Sequence, residues 1–130
     1  MDNGYIDGGS AVGFALRHGN ASTYATNYTT GSRFQFLYAG MDYFYKVIDS
    51  TGSHYVGLPL TGTGLHVVFT LTGTNSYSLQ TIDYATGSTN TLTGTLAGSG
   101  SLDSVALFNN SAGASPANDA FFNLMQIGSP

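Results

Sequence analysis

Three tyrosines, one carboxylate and one ammonium group fall within the stretch YAGMDYFYK in the first half of the chain. They belong to Tyr38, Asp42, Tyr43, Tyr45 and Lys46. A tyrosine ring has an apolar body and a polar tip, so it can contact both the C–H face and the hydroxyl groups of a sugar. Carboxylate and ammonium groups add an acceptor and donors for those hydroxyls. The stretch is therefore a candidate carbohydrate-binding element.

Alternating segments elsewhere supply polar groups that could extend this surface. In VGFALRH, RFQFLY and LHVVFTLT the alternation turns Arg17, Gln35 and His66 away from the Phe and Leu side chains. If these segments share one sheet, the three side chains and that of Lys46 line its solvated face. The predicted carbohydrate-binding set is completed by a tyrosine in a polar connection and two amides after a strand end: Tyr28, Asn109 and Asn110.

A structural calcium site is the second candidate. Asp2 and Asp7 lie near the N-terminus, and Asn118 and Asp119 precede the last apolar segment. Calcium takes six to eight oxygen ligands from carboxylates, amides and main-chain carbonyls. The spacing does not match an EF-hand loop. The alternative is that these Asn and Asp side chains cap turns by bonding to their own backbone.

Catalysis is the third candidate. The side chains of His18, His54 and His66 are not at the spacing of a zinc site. No carboxylate pair stands out as the pair that a glycosidase needs. The sequence therefore predicts a protein that is not an enzyme, and a small lyase or hydrolase of glycans remains an alternative.

Composition excludes several partners. The net charge is −4 with only three basic residues, which disfavours binding to nucleic acid or to an anionic membrane surface. No apolar run is long enough to span a bilayer, and the N-terminal residues do not form a signal peptide. The absence of cysteine excludes disulfides and thiolate metal sites.

The elements that must position these residues are predicted to be strands. Charged residues make up 8% of the 130 residues, Glu is absent, and Thr, Ser, Asn and Gly supply the polarity, which suits strands and tight turns more than helices. Two-residue alternation indicates about eight strands in an all-β, antiparallel two-sheet sandwich with little or no helix. The predicted segments are VGFALRH, RFQFLY, YFYKVID, LHVVFTLT, SYSLQTID, TLTGTL, SVALFN and AFFNLMQI. The length predicts a single domain over residues 1–130.

The order of GFALRHG, FQFLYAG, LHVVFTLTGTNSYSLQTID, SLDSVALFNNSAG and NDAFFNLMQI resembles the concanavalin-like jelly-roll modules of large secreted bacterial proteins. The resemblance extends roughly from Gly13 to Ile127, and the ending FNN-AG…ND-FFN is its most distinctive part. Many such modules bind carbohydrate and accompany polysaccharide-degrading enzymes. The resemblance implies a secreted, non-catalytic carbohydrate-binding module of a larger protein, with a polysaccharide as its ligand and a covalently linked catalytic domain. A structural or adhesive β-sandwich without a small ligand is the alternative, because fold does not determine function.

Overall fold

The computed structural model describes residues 1–4, 6–19, 27–111, 113–114 and 118–128, and these residues form an antiparallel β-sandwich. The strands are β1 (Asp2–Asn3), β2 (Ala11–Arg17), β3 (Ser32–Ala39), β4 (Phe44–Asp49), β5 (Gly52–Pro59), β6 (Leu65–Leu71), β7 (Ser76–Asp83), β8 (Thr89–Thr95), β9 (Ser104–Asn110) and β10 (Ala120–Phe121). A five-stranded sheet has the order β5-β4-β3-β2-β9, a three-stranded sheet has the order β6-β7-β8, and β1 pairs with β10. Within the described ranges, no helix is long and apolar enough to cross a membrane.

The core lies between the five-stranded and three-stranded sheets. Strand β6 shows how it forms, because alternation turns Leu65, Val67 and Phe69 inward and leaves the intervening side chains outside. Rings join the two layers: the Phe34 ring centroid on β3 lies 4.8 Å from that of Phe69 and 4.8 Å from that of Tyr77. The fold class predicted from alternation is therefore confirmed.

A second, smaller apolar cluster lies on the opposite face of the five-stranded sheet. Its buried members are Ala11, Ala15, Leu37 and Phe108. The ring of Tyr28 stacks on that of Phe108, with centroids 3.9 Å apart and planes inclined by 20°. This face, which we call the outer face of the five-stranded sheet, is therefore covered over part of its width and is not a fully solvated surface.

A buried hydrogen bond also joins the two sheets. The Tyr77 hydroxyl on β7 donates to Asp49 Oδ2 at the end of β4, over 2.6 Å. Burial alone would raise the pKa of the Asp49 carboxyl, but hydrogen bonds from Tyr77 and from the N–H and hydroxyl of Thr51, with His54 nearby, lower it below its ordinary value. Burial and the Asp49 carboxylate raise the pKa of Tyr77.

The strand pattern differs from the sequence prediction at two places. Strand β5 was not predicted, and His54 lies within it. Gly57 has a φ of 74°, an unusual backbone conformation for a strand, although Val56 and Leu58 on either side of it both face the core. The predicted last strand AFFNLMQI is paired only over Ala120–Phe121, so most of that apolar run lies outside the sheets.

Strand β5 forms one edge of the five-stranded sheet, and this edge positions the candidate site. Phe44 and Lys46 both face outward on either side of the core residue Tyr45, because side chains alternate along β4. The pairing of β4 with β5 shifts register between them. The Asn90 side-chain amide on β8 donates a hydrogen bond to the Val56 carbonyl of β5, which ties the edge to the other sheet.

Candidate functional site

Two exposed aromatic rings, those of Phe44 and Tyr55, lie together at the β4–β5 edge beside an ion pair, and a third exposed ring, that of Tyr43, precedes them in the chain. We call this group the aromatic patch; it consists of Tyr43, Phe44 and Tyr55 with Asp42 and Lys46. Tyr43 is 83% exposed, Tyr55 57% and Phe44 40%. The ring centroids of Phe44 and Tyr55 are 5.9 Å apart. Exposed rings that cluster in this way form a surface able to stack against a flat apolar ligand face.

The carboxylate of Asp42 connects the polar groups of the patch. Its Oδ2 lies 2.6 Å from Lys46 Nζ, and its Oδ1 accepts a 3.4 Å hydrogen bond from the Tyr55 hydroxyl. Lys46 Nζ also lies 6.0 Å from the centroid of the Tyr55 ring, within the range of a cation–π contact. The side chains of Asp42 and Lys46 are each 21% exposed, but Asp42 Oδ2 is buried, so Oδ1 is the carboxylate oxygen left to face a ligand.

Two of the predicted carbohydrate-binding residues, Asp42 and Lys46, therefore meet here, and the exposed Tyr43 adjoins Asp42 in the chain. The sequence analysis missed Phe44 and Tyr55. Tyr55 pairs with Lys46 across the two strands, so recognising β5 as a strand would have found it. The alternation of Val56 and Leu58 was the available signal, because both are buried in the core.

Arg17 and Gln35 lie on the same outer face as Lys46, as alternation predicted. Gln35 pairs with Ala15, two residues from Arg17, and with Ile48, two residues from Lys46. However, Arg17 and Gln35 are each only 7% exposed. The expectation that they line a solvated surface is wrong, because the chain covers this part of the sheet.

Tyr38 and Tyr45 lie in the core and not on a sugar-facing surface, because their rings face the opposite sheet. They are 1% and 0% exposed, and their hydroxyls are occupied within the protein. The Tyr38 hydroxyl donates to the Asp42 carbonyl over 2.6 Å, and the Tyr45 hydroxyl donates to Asn3 Oδ1 over 2.8 Å. Burial raises the pKa of Tyr45.

The remaining predicted residues are spread over the molecule. Asn109 and Asn110 end β9, at the opposite edge of the sheet, and Tyr28 stacks there on Phe108. Four inter-strand spacings separate β9 from β5, a distance of about 19 Å. His66 lies on the outer side of the three-stranded sheet, where its ring contacts that of Tyr84. The expectation that His66 shares one face with Arg17 and Gln35 is wrong, because β6 belongs to the other sheet.

Two of the four predicted calcium ligands approach one point. A β-carbon built on Gly113 would lie 2.8 Å from Asp7 Oδ2 and would collide with the Asn118 side-chain amide. Asp2 lies elsewhere, with its Cγ 3.6 Å from a β-carbon built on Gly64, and Asp119 is exposed. Among the described residues, no group of three or more His, Cys, Asp or Glu side chains is placed to hold a metal ion.

A surface depression lies apart from the rings of the patch. It is an open hollow beside β5 and the β7–β8 turn, lined by Gly57, Leu58, Pro59, Asp83, Thr86, Ser88, Thr89 and Asn90. It contains no aromatic ring and no pair of facing charges. The aromatic patch is therefore the better candidate site on chemical grounds.

Comparisons of the chain with protein-family models, with curated proteins and with solved structures found no match.

Proposed function

We propose that the protein is a non-catalytic carbohydrate-binding domain that contacts a polysaccharide through the aromatic patch. The observation that carries this proposal is the pair of exposed rings, those of Phe44 and Tyr55, beside the Asp42–Lys46 ion pair at one sheet edge, with the exposed Tyr43 next to them in the chain. Single exposed apolar side chains are common on protein surfaces, whereas a cluster rimmed by polar groups marks a binding surface.

The chemistry of the patch suits a sugar chain. The rings offer flat apolar area to the C–H faces of pyranose units, while Asp42 accepts and Lys46 donates hydrogen bonds to their hydroxyls. Binding to one patch is expected to be weak, because these polar groups exchange water for sugar hydroxyls at little net gain. As part of a longer secreted protein, such a domain would hold a linked catalytic domain near an extended glycan and raise its local concentration.

Affinity electrophoresis on plant, algal and bacterial polysaccharides tests the proposal. The wild-type protein should be retarded on at least one of them, and Tyr55→Ala should weaken that binding about tenfold, the loss of roughly 1.4 kcal/mol of ring contact. Tyr84→Ala is the matched control, because Tyr84 is similarly exposed, at 64%, but lies outside the patch. Retardation on none of the glycans, or an equal loss in the two variants, would contradict the proposal.

A second candidate function is that of an adhesive or spacer domain without a small ligand. Strand β10 and the segment after it favour it, because several of their apolar side chains are exposed: Phe121, Leu124, Met125 and Ile127. Leu124 is 93% and Ile127 82% exposed, and such a patch suits contact with another protein surface. This candidate predicts that Leu124→Ser abolishes association with a partner protein while Tyr55→Ala changes nothing.

We also propose that Asp7 and Asn118 contribute to a structural calcium site. Their side chains approach the same point beside Gly113, where Asp7 presents Oδ2 and Asn118 presents Nδ2, so the Asn118 amide would turn to offer calcium the oxygen that it prefers. Main-chain carbonyls of the adjoining segments would complete the ligand set. A bound ion would fasten the N-terminal segment to the β9–β10 connection.

A further inference from the structure

The two arginines of the chain are both buried, but only one of them has partners. Arg33 is 3% exposed, and its guanidinium donates to the carbonyls of Ala97, Gly98 and Gly100 and to Asn75 Oδ1. These acceptors replace the water that the charged group lost on folding. Arg33 is therefore a complete structural group that offers nothing to a ligand.

Arg17 is enclosed to a similar degree but lacks those partners. It is 7% exposed, and its Nε is buried without a hydrogen bond. Among the described residues, no carboxylate forms an ion pair with Arg17 and no atom accepts a hydrogen bond from its guanidinium. A buried charge without a partner is costly, so an arginine in this position requires an acceptor that the described chain does not supply.

A second orphaned polar group lies beside it. Ser104 on β9 pairs directly with Arg17 on β2, so the two side chains project from the same face of the sheet. Ser104 Oγ is also buried without a hydrogen-bond partner. Two adjacent buried groups, a guanidinium and a hydroxyl, thus both lack partners and can both donate a hydrogen bond.

The neighbouring residues explain why Arg17 Nε and Ser104 Oγ lack hydrogen-bond partners within the described part of the chain. The next cross-strand pair on this face is Ala15 and Ala106, whose methyl groups accept no hydrogen bonds. The carboxylate next to Ser104 in the sequence is that of Asp103. It already accepts a hydrogen bond from the Gly19 N–H over 2.6 Å and lies 3.7 Å from His18 Nδ1. Gln35 lies opposite Ala15 on β3 but makes no hydrogen bond to Arg17.

We propose that Arg17 and Ser104 bind a small oxyanion, a carboxylate, sulfate or phosphate group. The guanidinium fork pairs with two oxygens of such a group, and the Ser104 hydroxyl donates to an oxygen beside them. The anion supplies both the negative charge and the acceptors that are missing here. The site is distinct from the aromatic patch, because β2 lies two strands from β4, and it does not depend on carbohydrate binding.

Thermal unfolding in a dilute cationic buffer tests the proposal. Sodium sulfate, inorganic phosphate and sodium acetate are titrated separately against sodium chloride at equal ionic strength, so that the three arms identify the preferred anion. A ligand that binds only the folded state raises the unfolding midpoint with the logarithm of its concentration, by about 4 °C at about ten times its Kd. A midpoint that rises no more in any oxyanion than in chloride would overturn the proposal and leave an ordered water as the partner.

Three variants tie the effect to the site. Arg17→Met should abolish the oxyanion-dependent rise and should not lower the midpoint in the anion-free buffer, because it removes an uncompensated buried charge. Ser104→Ala should fold normally and reduce the affinity for the anion severalfold. Lys46→Gln removes one positive charge elsewhere and should keep the full rise. An undiminished rise in Arg17→Met, or its loss in Lys46→Gln, would assign the effect to general screening and refute the site.

Discussion

Replacing Tyr77 with phenylalanine tests the buried hydrogen bond that joins the two sheets. Tyr77 is 1% and Asp49 5% exposed, so water cannot readily replace the lost donor. A hydrogen bond to a charged group contributes about 1.5–3 kcal/mol, so we expect the free energy of unfolding to fall by about 2 kcal/mol at neutral pH. Urea unfolding followed by circular dichroism measures this difference.

The pH dependence of that loss gives a sharper test. The pKa of Asp49 is lowered in the folded state, so its contribution is fully present above the ordinary carboxyl pKa and is lost as the pH falls through the folded value. In the Tyr77→Phe variant the pKa of Asp49 should be higher than in the wild-type protein. Burial raises this pKa, and the variant lacks one of the hydrogen bonds that lower it. The difference between the two proteins should therefore shrink to about 1 kcal/mol once the pH falls below the lowered folded-state pKa of Asp49, where the wild-type bond also joins neutral groups.

The matched control is Tyr45→Phe. Tyr45 is buried in the same core, but its hydroxyl donates to Asn3 Oδ1, a neutral acceptor that does not titrate. The Tyr45→Phe substitution should lower the free energy of unfolding by about 1 kcal/mol at both neutral and acidic pH. If the cost of Tyr77→Phe were equal at neutral and acidic pH, or if Tyr45→Phe showed the same pH dependence, the role assigned to the Asp49 carboxylate would be wrong.

Two further substitutions test close approaches in the fold. Gly94→Ala should lower the free energy of unfolding by roughly 2 kcal/mol or more, because its β-carbon would lie 2.6 Å from both Asp49 Oδ2 and the Tyr77 hydroxyl oxygen, whereas Gly62→Ala, which meets no atom within 4 Å, should cost little. Calcium should raise the unfolding midpoint of the wild-type protein above that in a chelator, and Asp7→Asn should reduce this rise; a rise that survives unchanged in Asp7→Asn would contradict the proposed ligand.

Two-residue alternation predicted most of the sheet. It identified β2, β3, β4, β6, β7, β8 and β9, because their apolar side chains recur at every second position and must face one core. It missed β5, because just two of its side chains, Val56 and Leu58, face the core and most of its other residues are Gly, Ser, His and Pro. It also extended the last strand too far, since a run of apolar residues does not by itself find a pairing partner.

The candidate site was predictable only in part, for a related reason. Alternation tells which side of its own strand a residue occupies, and on that basis it placed Arg17 and Gln35 correctly on one face. It does not tell which sheet a strand joins, so His66 was assigned to the wrong layer. Nor does it tell which outward side chains the rest of the chain covers, and the burial of Arg17 depends on that tertiary arrangement.

The strand that carries Tyr55 has an unpaired edge, and such edges invite the strands of other molecules to add to them. Here the Asn90 amide occupies the Val56 carbonyl, Gly57 twists the backbone, and Pro59 has no N–H to offer. The edge of β5 therefore offers a neighbouring chain an interrupted row of backbone hydrogen-bonding groups. The protein can therefore expose the rings of Phe44 and Tyr55 at this edge without adding a strand of a second copy to it.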